Sequence, residues 1–142
     1  MSKKYAVLVV DMLNDFVTGA LKCDRGLAIV PKTKQLLDGC REKGVPVIFC
    51  NDAHLKGIDH ELKFWGDHAI AGTKGAEVIP ELGLCEKDYV VPKRRYSGFF
   101  QTDLKLLLDG IDNTGSGHSN TTTTWKDLSG NGRDGVLTNF GM

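Results

Sequence analysis

The sequence carries no surplus of charge: 18 basic residues balance 18 acidic ones, leaving a formal net charge of zero. A chain that tracks a nucleic-acid backbone ordinarily shows a basic excess. The one dense basic run, Lys93-Arg94-Arg95, is too short to provide it, so nucleic acid is not an expected partner. Long apolar runs are missing as well. Tyr5-Ala6-Val7-Leu8-Val9-Val10 stops at Asp11, shorter than the core of a signal peptide and far short of a membrane span. That excludes a membrane role and makes the cytoplasm the expected compartment. Paired cysteines are also lacking. Cys23, Cys40, Cys50 and Cys85 are widely spaced with no CxxC pair, which suits reduced, mostly buried thiols rather than a disulfide framework or zinc ribbon. No internal repeat is visible.

What the sequence does hold is the composition of a folded protein. Apolar residues make up 41% and charged residues 25% of 142 residues, near the globular averages and enough for one domain of ordinary size. Residues 5–10 form a continuous β-branched run, the pattern of a strand buried on both faces. Ile29, Val30, Leu36, Leu37 and Cys40 recur at helical spacing and predict a helix from Ile29 to Lys43, with Gly44 at its end. Val45 to Cys50 predicts a second strand, with Pro46 near its start where a lost donor is tolerated. Tyr89-Val90-Val91 predicts a third strand, and Asp103 to Leu108 a further helix. Strands alternating with helices in this order predict parallel βαβ units, hence an α/β fold of three layers, α/β/α, around a parallel sheet.

From Asn113 the composition changes. Residues 113–124 are polar and rich in Gly, Ser and Thr, as in a flexible linker. Residues 125–142 hold two short apolar pieces around Ser129-Gly130-Asn131-Gly132, a hairpin signal. Trp125-Lys126-Asp127-Leu128-Ser129-Gly130-Asn131-Gly132 is similar to strand pairs of laminin-G or concanavalin-like sandwiches. The expected organisation is thus a partial α/β domain over 1–112, a linker over 113–124 and a β-rich tail of foreign character over 125–142.

Asp11 directly follows a buried strand, at the carboxyl end where open α/β sheets place their chemistry. It could equally turn the chain or cap the next segment. Asp52 and His54 follow the second strand at i and i+2, so both point the same way from an extended segment and can share one metal. They could also be loop residues making ordinary hydrogen bonds. Phe16 and Trp65 are either core aromatics or walls of a pocket, and Lys93 alone would be a solvated lysine at a strand end. His60, between Asp59 and Glu61, has the look of a solvated residue.

Three motifs in order bear on these alternatives. Asp11-Met12-Leu13-Asn14-Asp15-Phe16, then Phe64-Trp65-Gly66-Asp67-His68-Ala69-Ile70-Ala71-Gly72-Thr73, then Val91-Pro92-Lys93-Arg94-Arg95-Tyr96-Ser97-Gly98-Phe99-Phe100 resemble the signatures of isochorismatase-like cysteine hydrolases, the nicotinamidase group in particular. The resemblance implies an Asp–Lys–Cys triad. Asp11 would act as base toward the thiol, and Lys93 as the cation that lowers the thiol pKa and steadies developing negative charge. It implies hydrolysis of a small amide such as nicotinamide to acid and ammonia through a thioester, with Phe16 and Trp65 flanking a planar substrate. It further nominates Asp52, His54 and His68 as ligands of zinc or another divalent metal, with no organic cofactor.

The family's nucleophilic Cys lies just after a strand that would begin near Asp112. Here the pattern departs, and no cysteine follows Cys85. Cys23, Cys40, Cys50 and Cys85 are poor substitutes, and Ser116 or Ser119 sit in a segment too loose to hold attack geometry. The expectation is therefore an impaired or inactive amidohydrolase. Two alternatives are a binding module for a small molecule or metal and a truncated or fused product without selected activity. A sheet missing its next strand also leaves the edge of residues 6–10 open, which invites homo-oligomerisation or cover by the tail.

Overall fold

Three of the β-rich runs become one sheet. The computed structural model describes residues 5–105 and, beyond them, the backbone of 124–125 and 135–136. Strand β1 is Val7–Val10, followed by a short helix α1, Asn14–Val17, and the long helix α2, Asp24–Glu42. Strand β2, Val47–Asp52, leads through the short helix α3, Leu62–Trp65, to strand β3, Tyr89–Lys93. The sheet order is β1-β2-β3, and both pairings are parallel, as a helical crossover requires. This is an α/β fold.

The core lies on one face of that sheet. Val9, Val47 and Phe49 meet Val30 and Leu37 of α2 and Ile79 and Leu82 of the segment before β3. Phe49 and Leu37 are fully buried, and burial of side chains this large stabilises by about 1.5–3 kcal/mol each. All six residues of β2 are buried, which is why this central strand can carry polar groups at its carboxyl end out of water.

Two expectations need correction. β1 is not buried on both faces: Val9 is, but Leu8 and Val10 are 41% and 49% exposed, because nothing among the described residues covers that face at β1. Helix α2 begins five residues before the expected start and runs through Pro31. Its first turns carry Leu27 and Ile29, both half exposed, so no apolar stripe announces them, and Pro31 resembles a helix start rather than an interior position. Leu36 is exposed too, leaving Val30 and Leu37 as the buried positions.

The chain forms two compact units, Met1–Thr102 and Asp103–Met142. In the second, Asp103 is a bend and Leu104 and Lys105 are helical; residues 106–108 of the helix expected over 103–108 lie outside the described residues. So do the expected linker, apart from Thr124, and most of the tail. Within the tail, β4, Thr124–Trp125, pairs antiparallel with β5, Gly135–Val136. Among the described residues no helix is long and apolar enough to cross a membrane.

Candidate active site

The carboxyl ends of the three strands converge on a buried lysine. Asp52 and Lys93 are in register on β2 and β3, so their side chains leave the same face of the sheet. Asp11 comes one residue after β1, its N–H on the Cys50 carbonyl at 3.3 Å. Lys93, 1% exposed, places Nζ 2.5 Å from Asp52 Oδ1 and 3.0 Å from Asp11 Oδ2. Asp11 Oδ1 accepts the Asp52 N–H at 3.0 Å. Asp11 adopts φ 57°, a left-handed conformation that a non-glycine residue holds only when its surroundings dictate it.

The charges settle one another. Burial works to lower the Lys93 pKa, yet its hydrogen bonds to Asp52 and Asp11 outweigh that and hold it above its ordinary value. For Asp11 the balance runs the other way: burial and the neighbouring Asp52 charge raise its carboxyl despite the bonds to Lys93. A carboxylate of raised pKa beside a fixed cation can accept a proton during a reaction, the property a general base needs.

A second cluster adjoins the first through Asp52. His54 continues β2 in extended form, its backbone bridged to the loop around Ile70 by His54 N–H to Ala69 O at 2.8 Å and Ala71 N–H to His54 O at 2.9 Å. This bridge brings His68 beside His54, with ring centroids 4.9 Å apart, edge to face. Asp52, His54, Glu61 and His68 each offer a ligand atom, all within 4.8 Å of one another. His54 is fully buried with neither ring nitrogen hydrogen-bonded. An imidazole left unpaired in the interior is costly unless something else takes its lone pair, so the donor set, two His and two carboxylates, fits a zinc-class divalent ion.

The structure thus brings together Asp11, Lys93 and Asp52 in one group and Asp52, His54 and His68 in the other. Phe16 lies beside the second, its ring 5.6 Å from that of His68. Trp65 ends α3, 58% exposed, without a ring contact to Phe16 or His68 among the described residues. His60 is exposed and meets Phe64 edge to face.

Glu61 was not foreseen. Its only signal is position, seven residues after His54 and seven before His68. Nor were the parts played by Asn14 and Asp15. Asn14 Nδ2 donates to the Lys74 carbonyl at 2.7 Å. Asp15 Oδ2 accepts the N–H of Ala69 at 2.8 Å, and Ala69 itself sits at φ 44°. Asp15 therefore holds the strained turn that presents His68, and Gly75 makes room for it: a Cβ there would lie 2.1 Å from Asp15 Oδ2.

Residues 5–114 match the family described as the Isochorismatase domain. The N-carbamoylsarcosine amidase of Thermoplasma acidophilum superposes with a TM-score of 0.70 at 38% identity, over 75% of this chain and 61% of that one. The pyrazinamidase of Pyrococcus horikoshii, solved in complex with zinc, gives 0.66 at 33% identity, over 74% and 63%. A probable inactive nicotinamidase of Arabidopsis thaliana is 36% identical over 114 residues, 72% of this chain and 58% of that protein. The chain spans about three fifths of the length of such curated relatives.

Proposed function

The chain belongs to the isochorismatase family, and we propose that its Asp11–Lys93–Asp52 group is the acid–base part of a nicotinamidase-like site for small amides. The observation that carries this reading is Lys93, a lysine 1% exposed and held between two carboxylates. Burying an ammonium costs several kcal/mol before compensation, and nothing in the packing of a strand end calls for it. In a site of that kind the residue at Asp11 would take the proton of an attacking thiol, and Lys93 would offset negative charge developing on the substrate. Phe16, and Trp65 from α3, flank a planar amide such as nicotinamide.

Asp52, His54, Glu61 and His68 would hold zinc or another divalent metal, with no organic cofactor. When bound, such an ion supplies positive charge for orienting a substrate. The pyrazinamidase in complex with zinc supports that assignment.

The 142 residues hold no cysteine after Cys85, and those present do not fit the nucleophile's place. Cys50 is nearest, but it is fully buried, and burial drives its thiol pKa up against the pull of Lys93. A buried, protonated thiol is a poor nucleophile. We therefore read this chain as binding small amides and metal without turning amides over. In the same reading 1–112 is the hydrolase segment, 113–124 a linker and 125–142 a piece of other origin, all in the cytoplasm. β1 is at the edge of the sheet among the described residues, and with Leu8 and Val10 exposed on its open face this supports self-association there.

Ammonia release from nicotinamide, with Asp11→Ala and Cys50→Ala alongside, tests the reading. No release is expected from folded protein that takes up zinc in a titration. Release that Cys50→Ala abolishes would overturn the assignment of inactivity and make Cys50 the nucleophile.

A further inference from the structure

Asp59 has no place in the reaction outlined above, yet few side chains in the molecule are as tightly held. It is 3% exposed. Arg94 Nε donates to both of its oxygens at 3.1 Å, Arg94 Nη2 to Oδ1 at 2.6 Å and Arg95 Nη1 to Oδ1 at 2.9 Å. The Leu55 N–H donates to Oδ2 at 2.7 Å. That same Oδ2 lies 3.5 Å from His54 Nδ1, while His54 Nε2 is turned to the other side, 3.7 Å from Asp52 Oδ2.

We propose that Asp59, clamped by Arg94 and Arg95, is a positioning residue that keeps the His54 proton on Nδ1 and turns the Nε2 lone pair into the cluster of Asp52, Glu61 and His68. The inference rests on the metal reading of that cluster and specifies how it is prepared. Asp59 takes its hydrogen bonds from two guanidinium groups and the Leu55 N–H, donors that only a carboxylate without a proton can satisfy together. It can then accept a proton from a ring N–H but has none to give. The neighbouring histidine follows the same plan. His68 Nδ1 sits 2.8 Å from the Gly66 carbonyl oxygen, an acceptor only, so its proton is on Nδ1 and its Nε2 is free. Both rings thus turn Nδ1 toward an oxygen outside the cluster, at 2.8 Å for His68 and 3.5 Å for His54, the arrangement that sets tautomer and ring direction in histidine ligands. The arginines directly follow Lys93, so the last residue of β3 reaches Asp11 and Asp52 while the next two, just past the strand, hold Asp59.

The experiment uses the full 15N-labelled chain, stripped of metal at pH 8. Two-bond proton–nitrogen correlation spectra report which ring nitrogen of His54 carries the proton, the signal being assigned by its loss in His54→Gln. The wild type is expected to show Nδ1–H. Asp59→Asn, whose amide nitrogen would face Nδ1 as a donor, is expected to move the proton to Nε2 and weaken zinc binding by roughly 10–100-fold in calorimetric titration. Arg94→Gln, which leaves the carboxylate but loosens its clamp, is expected to give a mixture of tautomers. An Nε2–H signal in the wild type overturns the proposal, and this reading stands even where Asp59→Asn does not fold. Zinc affinity within threefold of wild type in folded Asp59→Asn overturns it as well. A wild type with Nδ1–H that takes up no zinc would sink the metal reading and leave the positioning role intact.

Discussion

Replacing Lys93 by Met removes the ammonium and keeps most of the side-chain volume, so what is lost is charge and hydrogen bonding rather than packing. Two carboxylates then face each other without a cation, Asp52 with 6% of its side chain exposed and Asp11 with 29%. Breaking a buried ion pair by removing one partner costs about 3–5 kcal/mol. The exposure of Asp11 lets water screen part of that, so the expected loss at pH 7 is about 3 kcal/mol. Asp11 already has a raised pKa, and without Lys93 it rises further. A carboxyl whose folded pKa lies above its unfolded value contributes stability at low pH that is lost as the pH rises through the folded pKa. The variant should therefore lose more stability than the wild type between pH 4, near the ordinary carboxyl value of 3.8, and pH 7, by up to about 1.4 kcal/mol for each further pKa unit. Urea unfolding followed by circular dichroism at both pH values measures this, with Lys34→Ala as the surface control, since its bridge to Asp38 is solvent-exposed and such pairs contribute about 0–1 kcal/mol. A Lys93→Met loss below 1 kcal/mol at pH 7, or one equal at both pH values, would show that the lysine does not neutralise the two carboxylates.

Three further expectations follow from other parts of the fold. Arg41 Nε and Nη2 grip Asp88 at 3.1 and 2.6 Å, tying α2 to the start of β3; Asp88→Asn should cost about 2 kcal/mol at neutral pH. Burial pushes Asp88 up, but Arg41 and the Cys85 N–H hold its pKa below the ordinary 3.8, so the gap to wild type should be complete at pH 5 and narrow as the pH falls below about 4; unfolding midpoints across that range test it. Gly75→Ala, by driving a methyl into Asp15, should destabilise by about 1–3 kcal/mol. Gly39→Ala in α2, with nothing within 4 Å of the new methyl, should instead stabilise by about 0.5–1 kcal/mol, and the two melting shifts should have opposite signs. A thiol reagent should modify exposed Cys23 and Cys85 in the native protein and leave buried Cys50 untouched until urea is added, as mass spectrometry of the labelled peptides would show.

How much of this was legible in the sequence depended on the distance over which each signal acts. The strands were visible because apolar runs at 5–10, 45–50 and 89–91 are local. β1 and β2 each start two residues later than that, and β2 and β3 end later, at Asp52 and Lys93, polar residues that no apolar pattern includes. The start of α2 was hidden because Leu27 and Ile29 face water. In the site, Asp52 and His54 were legible as a pair because extended backbone alternates. Lys93 and His68 were not legible from local chemistry and were nominated only through motif resemblance. The long-range supports left no trace. Asp15 meets Ala69 across 54 residues and Asp59 meets Arg94 across 35, and a carboxylate carries no mark of a partner that far along the chain.

The division between what the motif marks and what holds it is itself informative about the site. Of Asp11, Asn14 and Asp15 in the opening motif, only Asp11 reaches Lys93, while Asn14 and Asp15 bind backbone at Lys74 and Ala69. Of Lys93, Arg94 and Arg95 in the lysine motif, only Lys93 reaches Asp11 and Asp52, while the arginines bind Asp59. Each motif thus places one residue in the buried lysine–carboxylate group and its neighbours on groups beside His54 or His68. Charge sets this order. A buried ammonium and a buried imidazole are tolerated only where their partners cannot drift, so the residues that immobilise those partners bear on the clusters as Asp11 and Lys93 do. A substitution at Asp15 or Arg94 should accordingly disturb the two clusters more than one at Trp65, which the middle motif contains but which stands 58% exposed.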